Sequence, residues 1–103
     1  INAARGDVVR LVTVDEVLFF KSDLKYTKVV TAECDWLIRK SVRELCDELD
    51  PQMFRQIHRS IVVNMTEVSS VTRDFRGRPV VHLRANNLQL PVSQPFAHLF
   101  RQM

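Results

Sequence analysis

Apolar positions along this chain recur at two spacings. Over most of the length they form short β-branched and aromatic runs: Val8 to Thr13, Val17 to Lys21, Tyr26 to Ala32, Trp36 to Ile38, Phe54 to Ile57, Val68 to Arg73, Val80 to Arg84 and Leu88 to Val92. Turn residues separate them, as expected of strands. Two reversals stand out, Asp74-Phe75-Arg76-Gly77-Arg78 and Asn86-Asn87, because Gly, Asp and Asn suit turn backbones. Eight strands and close turns in 103 residues predict an antiparallel sandwich or barrel.

Two segments carry helical spacing instead. Val42, Leu45, Cys46 and Leu49 fall at i, i+3, i+4 and i+7, which places them on one apolar face. Ser41-Val42-Arg43-Glu44 has the capping-box pattern at the start of that helix, and Asp50-Pro51 stops it. Phe96, Leu99, Phe100 and Met103 repeat the spacing at the C-terminus, where Ser93 is the expected N-cap and Gln94 and Pro95 fall in the first turn. Both helices read as lids on a sheet. The segment richest in Arg and His is not helical in pattern, so a helix-turn-helix is not expected.

Length and composition narrow the class. A chain of 103 residues with 46% hydrophobic and 26% charged residues suits one globular domain. The longest apolar runs, such as Val17 to Phe20 and Ile61 to Val63, are too short to cross a bilayer. No basic-then-apolar leader is visible, so the expected location is the cytoplasm. The first residue is Ile, and the sequence therefore reads as an excerpt from a longer protein. Cys34 and Cys46 have no C-x-x-C spacing and are expected as reduced core thiols. The net charge of +3 is ordinary, but its distribution is not. Residues 1–52 carry 8 Lys/Arg against 10 Asp/Glu, whereas residues 53–103 carry 7 Arg against Glu67 and Asp74 alone. A half that is basic through Arg suits forked contacts to phosphates and guanine edges, although a solvated surface would also account for it.

Signals for catalysis or metal binding are weak. His58, His82 and His98 are widely separated, and no pair of His or Cys has zinc-knuckle spacing, so no metal and no cofactor are expected. No glycine-flanked serine elbow exists, and Glu44, Asp47 and Glu48 read as the solvated face of a helix. No catalytic residue is assigned and no small-molecule substrate is expected. The most informative stretch is Phe54-Arg55-Gln56-Ile57-His58-Arg59-Ser60-Ile61-Val62-Val63-Asn64. Phe54 and Ile57 can anchor it, His58, Arg59 and Ser60 gather donors, and Ile61 to Val63 return the chain to the core. The loop fits either a base-reading or phosphate-gripping element on a rigid base, or a tight turn in which His58 and Ser60 bond the backbone.

The run Phe54 to Asn64, F-x-x-I-H-R-S-x-x-V-N, resembles the signature of the LytTR-type DNA-binding domain of bacterial response regulators. Val14 to Phe20 resembles that family's first core strand, with the Lys25-Tyr26-Thr27 loop after it. Arg39 to Leu49 is similar to its helix, Val71 to Val81 to its R-D-x-x-G-R hairpin, and Leu90-Pro91-Val92-Ser93 to its last strand. The resemblance runs from about Val8 to the end of the chain.

It implies a mainly β, elongated antiparallel sandwich or barrel-like fold with one internal amphipathic helix and a short C-terminal helix. It also implies a single domain over residues 1–103, the C-terminal output part of a two-component response regulator whose upstream part is a phosphate-accepting receiver. Function, on the resemblance, is sequence-specific binding of double-stranded DNA in transcriptional regulation, with loops entering successive major grooves at direct repeats; oligomeric state stays open, a homodimer on the DNA being one arrangement. Carried over by position, the contacting residues are Lys25, Tyr26, Thr27, Lys28, His58, Arg59, Ser60, Ser93 and Gln94. Gln94 departs from the family, which usually has Arg after the final serine; a neutral amide can bond an adenine edge but supplies no charge. The alternative is a β-rich module that binds a protein partner through an exposed edge strand.

Overall fold

The computed structural model describes residues 1–100. Its ten strands are β1 (Asn2–Arg5), β2 (Val8–Leu11), β3 (Val17–Asp23), β4 (Tyr26–Thr31), β5 (Asp35–Ile38), β6 (Phe54–His58), β7 (Ile61–Asn64), β8 (Val68–Arg73), β9 (Pro79–Leu83) and β10 (Gln89–Pro91). One α-helix, α1 (Val42–Glu48), lies between β5 and β6, and a 3₁₀ segment, Gln94–Phe100, follows β10. The strands form two open antiparallel sheets, one of seven in the order β2-β1-β5-β4-β3-β7-β6 and one of three in the order β10-β9-β8. The domain is elongated, 43 × 25 × 24 Å.

The larger sheet is a middle layer. On β3, Val17, Leu18, Phe19 and Phe20 are all buried, as a strand covered on both faces requires. Val17 and Phe20 pack with Val62, Phe54 and Trp36 and with Val42 and Leu45 of α1. Leu18 and Phe19 pack on the opposite side with Ile57, Ile61 and Val63 and with Val81, Leu83, Leu90 and Phe100 from the smaller sheet and the 3₁₀ segment. A bulge between Val17 and Phe19 adds a residue to β3 against β4, so Leu18 and Phe19 share one face while Val17 and Phe20 share the other. Helix α1 begins where the sequence indicates: the Ser41 hydroxyl accepts the Glu44 amide at 3.1 Å.

Three expectations change. Asn2–Arg5 forms a strand although Asn-Ala-Ala-Arg has low β propensity, because it pairs with both β2 and β5. Ile61–Asn64, read as a return to the core, is a full strand between β3 and β6. The C-terminal segment is 3₁₀, and Ser93 caps it only with its carbonyl, which accepts the Phe96 amide at 2.9 Å, while its hydroxyl makes no bond among the described residues. Met103 of the expected apolar face lies outside the described residues. The thiols Cys34 and Cys46 are free but only half-buried at the core margin, with burial pushing that of Cys46 above its ordinary pKa.

Asn64 is buried in the core with both polar atoms of its side chain engaged. It is fully buried, its amide donates to the Val17 carbonyl at 2.9 Å, and its Oδ1 accepts the Thr66 amide at 3.0 Å and hydroxyl at 2.7 Å. Trp36, Phe54, Ile57 and Leu45 are buried as expected, and truncating any of them to Ala will cost about 2–5 kcal/mol in a denaturant melt. Arg59→Ala, at an exposed turn, will change stability by about 0.5 kcal/mol or less.

Candidate nucleic-acid interface

Three backbone hydrogen bonds between segments far apart in sequence gather four turns at one end of the domain. Beyond the last β3–β7 pair, Lys21 with Ile61, the Ser22 amide donates to the Ser60 carbonyl at 2.9 Å, setting the β3–β4 turn beside the β6–β7 turn. The Ser93 amide donates to the Ile57 carbonyl at 3.0 Å, which brings Ser93 and Gln94 to the same edge. The Val92 amide reaches the Pro79 carbonyl at 3.3 Å and adds the β8–β9 hairpin. The Asn86-Asn87 reversal, with both residues at positive φ, lies away from these turns, against Ala32 of the β4–β5 turn.

The β6–β7 turn is the most heavily braced. A bulge between Gln56 and His58 makes Ile57 the extra residue, so Ile57 sinks fully into the core and His58 is re-aimed beside it. Gln56 donates to the carbonyls of His58 at 3.2 Å and Arg59 at 3.4 Å, and its own oxygen accepts from the Cys46 thiol of α1 at 3.6 Å. His58 Nδ1 accepts the Ser60 amide at 3.1 Å and lies 3.0 Å from its hydroxyl. His58 and Ser60 therefore shape the turn, and with Nδ1 accepting, a neutral His58 carries its proton on Nε2. Arg59 is exposed, and among the described residues its guanidinium has no hydrogen bond and no ion pair.

In the β3–β4 hairpin Lys25 is exposed and, among the described residues, likewise unpaired. Lys28 is half-buried, 3.9 Å from the Asp23 carboxylate. Tyr26 is partly exposed with the Arg39 guanidinium 6.0 Å from its ring centre, within cation–π range. Thr27 departs from expectation: it is 1% exposed and its hydroxyl donates to the Lys40 carbonyl at 2.6 Å, so its side chain holds β4 to the start of α1 and offers nothing to a ligand. Ser93 is half-buried and Gln94 exposed.

Sequence reasoning passed over several groups here. Leu24, fully exposed at the tip of the β3–β4 turn, adopts φ +56°, a conformation costly for leucine and without a sequence signal. Gln56 looked like an ordinary strand residue. The reversal at Asp74 to Arg78 was legible as a turn, yet its arginines also line a cleft with Gln94. Asp74 organises that turn. Its Oδ1 accepts the amides of Arg76 and Arg78, both at 2.9 Å, and these bonds, with the nearby guanidiniums, hold its pKa below the ordinary 3.8.

The chain matches the family model described as the LytTr DNA-binding domain over residues 7–103. It is 42% identical over 105 residues to an uncharacterized response regulatory protein of Vibrio cholerae, covering 98% of this chain and 40% of that protein. It is 23% identical over 103 residues to the transcriptional regulatory protein YpdB of Escherichia coli K12, covering 100% of this chain and 42% of YpdB. The chain thus spans about two fifths of these curated relatives. Its fold superposes, with a TM-score of 0.90 and 25% identity, on a LytTr DNA-binding domain of a Bacillus cereus response regulator, covering 98% of this chain and 92% of that one.

The turn at Asp74 has a checkable consequence. Because the folded pKa is lowered, the carboxylate's contribution is complete above the ordinary 3.8 and is lost as pH falls through the lower folded value. The Arg76 and Arg78 amide NMR signals will titrate in that acid range in the wild type and stay put in Asp74→Ala.

Proposed function

The chain belongs to the LytTR family of DNA-binding domains, and on that premise we propose that it binds duplex DNA sequence-specifically, through the turns gathered at one end, as the output domain of a transcriptional response regulator. The observation that carries this reading is the convergence of Lys25, Arg59 and Gln94, distant in sequence, onto one end through the Ser22–Ser60 and Ser93–Ile57 backbone bonds. Exposed cations such as Lys25 and Arg59, without ion-pair partners among the described residues and held on braced hairpins, suit an interface in which phosphate contacts set position and a few side chains read base edges. Lys25, Tyr26 and Lys28 form one contact segment, His58, Arg59 and Ser60 a second, and Ser93 and Gln94 a third, with Thr27 contributing through the fold. Loops of this size enter the major groove, where each base pair presents a distinct donor and acceptor pattern. Two copies on direct repeats would double the interface, and the remainder of the protein would carry the receiver.

The edge-strand alternative has one feature in its favour: β2 is an outer strand on which Val8, Val9 and Leu11 are exposed. Salt separates the two readings, because binding through several phosphates weakens steeply as salt rises and apolar strand pairing does not.

On a duplex enriched from a random pool, Arg59→Ala will weaken binding by about 1–3 kcal/mol and relax preference at one base position, measured by fluorescence anisotropy across single-base variants. Unchanged affinity and preference would remove Arg59 from the interface. Gln94→Arg will strengthen binding to duplexes in general, most at low salt, and steepen the dependence of log K on log salt by roughly one phosphate contact. Superimposable salt series would place position 94 away from the DNA.

A further inference from the structure

The β8–β9 hairpin is not among the expected contacts, yet it carries three arginines at and beside its turn. Arg73, Arg76 and Arg78 lie within six residues of one another and, with Gly77 and Gln94, line a cleft of about 380 Å³. Its shape is set from within. The Arg73 guanidinium donates to the Gly77 carbonyl at 3.0 Å, and Gly77 turns the chain at φ +79°. Asp74 holds the Arg76 and Arg78 amides, and the Arg76 guanidinium sits 5.3 Å from the ring of Phe75, which is 93% exposed. Among the described residues none of the three arginines is within ion-pair distance of a carboxylate. Asp74 is the nearby acid, and its Oδ1 is engaged by the backbone. The hairpin is tied through Pro79 and Val92 to the strand end that carries Ser93 and Gln94.

We propose that this hairpin and Gln94 form a clamp for the DNA sugar–phosphate backbone, Arg76 and Arg78 supplying the positive charge that position 94 lacks. The proposal rests on the DNA-binding reading above and extends it to a fourth contact segment. Arginines lining a recess are poorly placed to reach base edges at a groove floor, whereas a phosphate projects from the duplex and can enter the recess. Forked guanidinium donors match the oxygens of a phosphodiester. Placed beside the third contact segment, the clamp would fix the register of the turns without reading sequence itself.

The test compares wild type with the Arg76→Gln/Arg78→Gln double variant on the duplex enriched by the wild-type domain, over several salt concentrations. The expected result is weaker binding with a log K–log salt slope shallower by about one to two, each phosphate contact contributing roughly 0.9. The rank order of single-base variants stays as in wild type. The Arg76→Lys/Arg78→Lys variant keeps most of the slope. An unchanged slope and affinity in the Gln variant overturns the clamp, and so does an altered base preference, which would make these arginines readers. Should the Gln variant fail to fold, the Arg76 and Arg78 side-chain Nε–H signals of the wild type decide: they shift on adding duplex if the clamp exists and stay fixed if it does not. Inorganic phosphate alone, shifting the same signals as strongly as the duplex, would overturn the assignment in favour of a free-anion site. A wild-type domain that enriches no duplex at all defeats the DNA-binding reading itself, a result distinct from any of these.

Discussion

The pairing of β3 with β7 is the constraint on which the rest of the domain depends. Strands about forty residues apart meet there, with Phe19 opposite Val63, Phe20 opposite Val62 and Lys21 opposite Ile61. The pairing joins the β6–β7 hairpin to the remainder of the larger sheet, so that Phe20 and Val62 face α1 while Phe19 and Val63 face the smaller sheet. One residue further along, the same ladder supplies the Ser22–Ser60 bond that aligns two turns. Core and candidate interface therefore share one register. A slip of one residue would turn every one of these side chains to the wrong face and separate the turns as well.

That register also explains why polar turns can be held firmly. A loop that contacts a charged polymer must keep its long side chains solvated, so its position has to come from backbone bonds and from residues beneath it. Ile57 provides the buried anchor, Gln56 ties two carbonyls of the β6–β7 turn, and His58 satisfies the Ser60 amide. Asp74 plays the equivalent part in the arginine hairpin. In both turns the bracing is done by neutral or backbone-bonded groups, which leaves the Arg59, Arg76 and Arg78 guanidiniums without carboxylate partners among the described residues.

How far this was legible in the sequence depends on where each signal is stored. β-Branched runs such as Val17 to Lys21 and Tyr26 to Ala32 announced strands because their side chains pack locally on a pleated surface. Ser41 and Glu44 announced the start of α1 through a bond only three residues long. β1 was invisible because its stability comes from neighbours on both sides, not from Asn-Ala-Ala-Arg itself. Thr27 is an expected contact only through its position in the family's Lys25-Tyr26-Thr27 loop, and its register on β4 sends its side chain inward to the Lys40 carbonyl. The meeting of Gln94 with Arg76 and Arg78 was out of reach, since it depends on the pairing of β9 with β10 and on the Val92–Pro79 bond.

The central claim is that turns from distant parts of the chain form one DNA-binding end. It is tested most directly by mapping backbone amide NMR signals of the ¹⁵N-labelled domain during titration with an enriched duplex. The account predicts that perturbations concentrate at Lys25, at His58 to Ser60 and at Gln94, with little change at Gly6 and Asp7, the turn between β1 and β2. Perturbations centred instead on Val8 to Leu11 of the outer strand, with the turns at Lys25 and Arg59 unmoved, would contradict it.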